Sequence, residues 1–178
     1  IEDYISATLG PYVANTHTET NLTGSAMTHA YHEAQHVIKK HVNASENDVL
    51  ITAGAGMTAV INKFIRILGL RIPERMQDQV KFAEQDKPVV FITHMEHHSN
   101  QTTWYECDVT LEIVAPDENG LPSLTHLQTL LEKYQDRRLK IGSFSACSNV
   151  TGIKTPYYQM AELMHEHGGV CFVDFAAS

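Results

Sequence analysis

Five short apolar runs limit what this chain can fold into: Val49–Ala53, Val89–Thr93, Val109–Val114, Leu139–Ala146 and Val170–Asp174. All are short enough for strands, and turn formers separate them. Between them the apolar spacing becomes helical over Met57–Leu70, Ser123–Tyr134 and from Pro156 to about His167. Strands separated by helices pair in parallel, because a parallel pair needs a long crossover and a helix supplies it. The pattern predicts an α/β fold: a mostly parallel, doubly wound sheet with helices on both faces.

Local signals refine the boundaries. Met27–His41 carries Ala30, Ala34, Val37 and Ile38 at helical spacing and gives way to turn formers from Asn43 to Asp48. Ser123 is a candidate N-cap, Pro156 opens its helix and Gly168-Gly169 closes it. Arg71–Lys87 is charged, contains Pro73, and reads as a surface connection with one helical turn, and Pro116–Pro122 as a turn-rich loop. No repeat, low-complexity tract or interdomain linker is visible. The 178 residues suit one domain or part of a larger one.

Charge and composition then exclude classes of partner. A formal charge of -8 offers nothing to neutralise a run of phosphates, so nucleic acid is not an expected partner. Apolar stretches such as Val89–Ile92 fall far short of the ~20 residues of a membrane span. Three scattered cysteines, Cys107, Cys147 and Cys171, make neither an even disulfide set nor a C-x-x-C pair, and no leader precedes Ile1; both fit the cytoplasm.

In an open α/β sheet, ligands bind outside the carboxyl ends of the strands. After the first run comes Thr52-Ala-Gly54-Ala-Gly56-Met57-Thr58, where small residues free backbone N–H groups and the Thr58 hydroxyl to face an anion at a helix start. After the second comes the imidazole-rich loop His94-Met-Glu96-His97-His98-Ser99-Asn100, able to stack on a ring or move a proton. Ser148-Asn149-Val-Thr151-Gly152 follows the fourth run, and the acid Asp174 closes the fifth. Singly, each is an ordinary turn or a solvated side chain. Together on one sheet edge they supply a phosphate seat, a flat stacking group, an amide and a carboxylate, which suits pyridoxal phosphate.

These residues carry a resemblance over essentially the whole chain. Asn15-Thr-His17 followed by Gly24, Gly56-Met57-Thr58, Glu96-His97-His98-Ser99-Asn100, Ser148-Asn149-Val150-Thr151-Gly152 and Asp174-Phe-Ala176 resemble the class V aminotransferases of the pyridoxal phosphate fold type I superfamily, which include cysteine desulfurases and selenocysteine lyases. The resemblance implies a large domain of that fold, incomplete at its C-terminal end, with Ile1 to about Met27 as a leading segment near the small domain or a dimer interface. It implies that His97 stacks on the cofactor ring, Asn149 bonds near the 3-oxygen, Asp174 pairs with the ring nitrogen, and Gly56, Met57 and Thr58 seat the phosphate. Ala176 joins the cofactor contacts, His17 the substrate contacts, and His97 and Asp174 are the catalytic pair. A homodimer acting on an amino acid, by transamination or by β-elimination of sulfur or selenium, follows. Many desulfurases have Gln where this chain has Ala177, and the family's cofactor-linking lysine and desulfurase cysteine are expected beyond Ser178, leaving the 178-residue piece inactive alone.

Three other readings compete. His32-Glu33-Ala34-Gln35-His36 matches H-E-x-x-H, the helical zinc-hydrolase pattern, but eleven histidines make such spacings common and no third ligand follows at a metzincin-like distance. No metal is expected. Gly54-Ala-Gly56-Met-Thr-Ala59 matches a dinucleotide fingerprint whose acid, ~20 residues on, should end a strand; that distance falls in Arg71–Arg75. A non-enzymatic binding domain is the third, since Lys154 precedes the Asp174 strand and is the wrong lysine for cofactor attachment.

Overall fold

Asn21 starts the longest helix of the chain. Its side-chain oxygen accepts the Gly24 N–H at 2.7 Å, which satisfies one of the donors left over at a helix start. The computed structural model describes residues 1–76, 78–80 and 82–178; they divide into two units, Ile1–Thr52 and Ala53–Ser178. In the first, α1 (Glu2–Tyr4) continues as a π turn over Ile5–Leu9 and a 3-10 turn over Gly10–Tyr12. Helix α2 (Leu22–His41) follows. It begins a turn earlier than the apolar spacing predicts, and Lys39, Lys40 and His41 complement the negative end of its dipole. Only Gly24 and Thr28 are buried on it, while Val37 and Ile38 are exposed.

The strand expected over Val49–Ala53 does not form. An apolar run becomes a strand only by pairing, and this one enters no ladder among the described residues; Val49 is 82% exposed. The connection expected over Arg71–Lys87 has 3-10 turns at Glu74–Met76 and Glu84–Asp86, with Gln77 and Lys81 outside the described residues.

In the second unit α3 (Gly56–Ile67) leads to β1 (Val89–Thr93), buried at every position. A strand with water on neither side needs helices over both faces. Helix α4 (His98–Tyr105) joins β1 to β2 (Thr110–Val114), α5 (Leu124–Lys133) joins β2 to β3 (Lys140–Ser145), and α6 (Tyr157–Glu166) joins β3 to β4 (Val170–Asp174). The four strands are all parallel, in the order β2-β1-β3-β4. Because strand residues alternate between faces, the core divides in two. Val89 and Phe91 meet Phe144 and the α5 and α6 residues Leu127, Leu130, Leu131, Met160 and Met164. Val90 and Ile92 meet Ile141, Trp104 of α4, and Ile61 and Ile65 of α3. Ser123 caps α5 as expected, accepting from the His126 N–H at 3.2 Å.

The segment read as a loop from His94 to Asn100 is partly helix. His97 is the N-cap of α4, so His98, Ser99 and Asn100 form its first turn. Sequence spacing missed it because the buried face of α4 is mostly polar: Ser99, Asn100 and Thr103 beside Trp104.

Candidate functional site

From β1 the chain moves outward to β2, then returns past β1 to β3. That reversal opens a crevice at the carboxyl ends of β1 and β3, where doubly wound sheets bind ligands. Register places Asp174 opposite Ser145, so the ends of β3 and β4 lie side by side.

A cavity of about 290 Å³ occupies this edge of the second unit. Met57, Thr58, His97, Asn149, Asp174 and Ala176 line it. The structure therefore brings together all the cofactor-contact residues expected from the sequence except Gly56. Gly56 opens α3 with φ +75°, a left-handed conformation that favours glycine, but it does not line the cavity. Four further residues line it that the sequence reading gave no cofactor contact: Ser99 and Ala177, which it named within or beside a motif, Cys147, which it named only as a cysteine, and Ser145. A signal for Ser145 was present, since Ser143 and Ser145 alternate with Gly142 and Phe144 in a strand that is buried throughout.

Local bonds set each group. Asp174 is 8% exposed; its Oδ1 accepts the Ala176 N–H at 2.8 Å, which turns the chain after β4 and leaves the other oxygen for whatever fills the cavity. His97 is exposed, and its Nδ1 accepts the Ser99 N–H at 3.2 Å and lies 2.8 Å from the Ser99 hydroxyl. An amide can only donate, so the neutral ring carries its proton on Nε2. The Ser148 hydroxyl accepts from the N–H groups of Val150 and Thr151 at 3.3 Å each, shaping the turn that presents Asn149. Burial raises the thiol pKa of Cys171, on β4, to about 11.

Among the described residues no lysine or arginine lines the cavity. Its anion-binding capacity is neutral: the Thr58 hydroxyl and the free N–H groups where α3 begins. Its one carboxylate, Asp174, is buried and makes no ion pair among the described residues. Burying a carboxylate is costly without a compensating charge, and a protonated ring nitrogen supplies one. A ligand that carries both an anionic group and a cationic aromatic nitrogen fits this donor set.

The other sequence candidates lie in the first unit. His17 adopts φ 64°, its N–H donates to Thr28 Oγ1 at 2.9 Å, and its ring meets Tyr31 edge-on at 5.8 Å. His32 and His36 are exposed on α2. They border a hollow of about 740 Å³ with Lys39 and Lys40, whose charges oppose a bound cation. Among the described residues no three His, Cys, Asp or Glu side chains are arranged to hold a metal.

The aminotransferase class-V family model matches residues 3–178. The chain belongs to that family. Its cofactor is pyridoxal 5'-phosphate, a molecule with both an anionic phosphate and a basic ring nitrogen. A probable cysteine desulfurase of Halalkalibacterium halodurans is 28% identical over 171 residues, covering 94% of this chain and 38% of that protein. A cysteine desulfurase of Synechococcus elongatus is 28% identical over 169 residues, covering 93% of this chain and 24% of the relative. The chain thus spans well under half the length of these curated class-V relatives. Among solved structures, the apo cysteine desulfurase of Thermococcus onnurineus matches with a TM-score of 0.69 at 18% identity, over 98% of this chain and 39% of that one. The NifS-like protein of Rickettsia africae matches with a TM-score of 0.70 at 15% identity, over 97% and 43%. The fold is that of the pyridoxal phosphate fold type I enzymes.

Proposed function

We propose that this chain belongs to a pyridoxal phosphate enzyme that acts on an amino acid, either by transamination or by β-elimination of sulfur or selenium from a cysteine-like substrate. The observation that carries the reading is the meeting of Thr58, His97, Asn149 and Asp174 in one cavity at the sheet's switch point. When bound, the cofactor supplies an electron sink for a bond broken at the substrate α-carbon. Asp174 holds a proton at the ring nitrogen, because the buried carboxylate favours the charged form of its partner. His97 stacks on the ring, held by Ser99 and with a proton available at Nε2. Asn149 donates to the 3-oxygen, and Thr58, Met57 and the start of α3 hold the phosphate. Ala176 keeps Asp174 oriented through its N–H and packs beside the ring. The family resemblance assigns His17 a substrate contact, and the enzyme works as a homodimer in the cytoplasm, a compartment that suits its free thiols.

The test uses the full protein with cysteine and with a panel of amino acids and 2-oxo acids, reading sulfide release and amino transfer separately. Asp174→Asn should bind pyridoxal phosphate but lose turnover by about a hundredfold or more, the scale of a lost electrostatic contact in a catalytic site. Full activity in that variant, or wild-type protein that does not bind the cofactor, would overturn the proposal.

A further inference from the structure

Glu96 does not line the cavity, yet it joins the elements that do. Its Oε1 accepts from the Thr93 N–H at 3.2 Å and the Thr93 hydroxyl at 2.6 Å. Its Oε2 accepts from Asn100 Nδ2 at 2.7 Å and from the Ser145 hydroxyl at 2.6 Å. The donors belong to the end of β1, the first turn of α4 and the end of β3, so one carboxylate crosses the crevice of the switch point. Asn100, fully buried, closes the net: its Oδ1 accepts the Ser143 hydroxyl at 2.6 Å and its Nδ2 donates to the Ser143 carbonyl at 3.3 Å. Its backbone N–H donates to the His97 carbonyl at 2.9 Å.

Two of these connections reach the cavity. Ser145 lines it, in register with Asp174. His97 follows Glu96 in the chain, caps α4, and is tied by its carbonyl to Asn100. Glu96 makes no ion pair among the described residues, and the partners found for it are neutral donors. A glutamine has the same shape but turns one oxygen into a donor; the hydroxyl facing it can turn and accept, but the nitrogen donor beside that hydroxyl, the Thr93 N–H or the Asn100 amide, would be opposed and left unpaired.

We propose that Glu96 is a positioning residue for pyridoxal phosphate: without touching the cofactor, it fixes His97 against the ring and Ser145 beside Asp174. This rests on the cofactor reading above. The test titrates the cofactor-free full protein with pyridoxal phosphate and follows visible absorbance together with the induced circular dichroism of the cofactor band, which reports how rigidly the ring is oriented.

Glu96→Gln should raise the dissociation constant about tenfold, the effect of orphaning one buried donor, and weaken the induced dichroism at saturation. Ser145→Ala, which cuts one arm of the net, should raise it about threefold. A bond with only a structural role would lower the melting temperature but leave affinity and dichroism at wild-type values, and that result overturns the inference. Should Glu96→Gln fail to fold, unchanged affinity and dichroism in Ser145→Ala overturn it instead. Wild-type protein that binds no pyridoxal phosphate would refute the cofactor reading itself, a separate outcome.

Discussion

Gly142 lies in β3, an inner strand of the sheet, with close neighbours where a side chain would start, and adding one methyl group there tests the packing directly. Its neighbour across the ladder on one side is Phe91, and the α5/α6 face of β3 is filled by Phe144 and Met164. A Cβ at Gly142 would lie 2.6 and 2.8 Å from two ring carbons of Phe144 and 3.0 Å from Met164 Cγ. Carbon atoms prefer ~3.5–4.0 Å, and both neighbours are fully buried, so neither can swing into solvent. Overpacking of this kind costs about 1–3 kcal/mol. Replacing glycine also restricts the unfolded chain, which returns about 0.4–1 kcal/mol. Gly142→Ala should therefore lose about 1–2 kcal/mol, lowering Tm by about 2–8 °C for a chain of this size. Scanning calorimetry and urea unfolding measure it. Phe144→Leu removes the clashing ring edge, so the double variant should be more stable than the sum of the two losses by at least about 0.5 kcal/mol. A Tm at or above wild type, or strict additivity in the double variant, would refute this account of the core.

Two further predictions concern the periphery of the sheet. Burial pushes the Glu112 carboxyl up, but hydrogen bonds from Lys133 (2.8 Å) and Tyr134 outweigh it and hold its pKa below the usual value. A lowered carboxyl stabilises the fold above its unfolded pKa of ~4.3 and stops doing so as pH falls through the folded value; Glu112→Gln should thus cost about 1 kcal/mol at pH 7 and almost nothing near pH 3 by urea unfolding. Equal losses at both pH values would contradict it. Ser123→Ala removes the acceptor for the His126 N–H and should cost about 1 kcal/mol, whereas Ser123→Asp should restore most of it; no loss in the alanine variant would show that the cap contributes nothing.

The four strands that formed were legible because each is an apolar run with a partner. Val49–Ala53 has the same composition and shows the limit of that signal: hydrophobicity marks a segment that can pair, and only the ladder makes it a strand. Helix α4 was hidden for the opposite reason, since Ser99, Asn100 and Thr103 are buried by satisfied hydrogen bonds and not by apolar contact. At the site, Thr58, His97, Asn149 and Asp174 were readable because strand ends of a parallel sheet converge on one edge. Cys147 was not, and Ser145 showed only in the polar alternation of its strand, because a residue inside or just past a buried strand looks like core until the register shows which way it faces.

The order β2-β1-β3-β4 also has a temporal consequence. Val89 pairs with Lys140, some fifty residues later in the chain, so the central ladder closes a long loop. A loop of that length costs about 3–4 kcal/mol of chain entropy before its contacts can repay it, whereas each helix closes locally. The edge that carries Asp174, Asn149 and His97 exists only once that ladder has zipped. Helical signal can therefore recover well before the chain gains a functional crevice, and during that interval a refolding molecule looks largely native by its secondary structure yet has no place to receive a ligand.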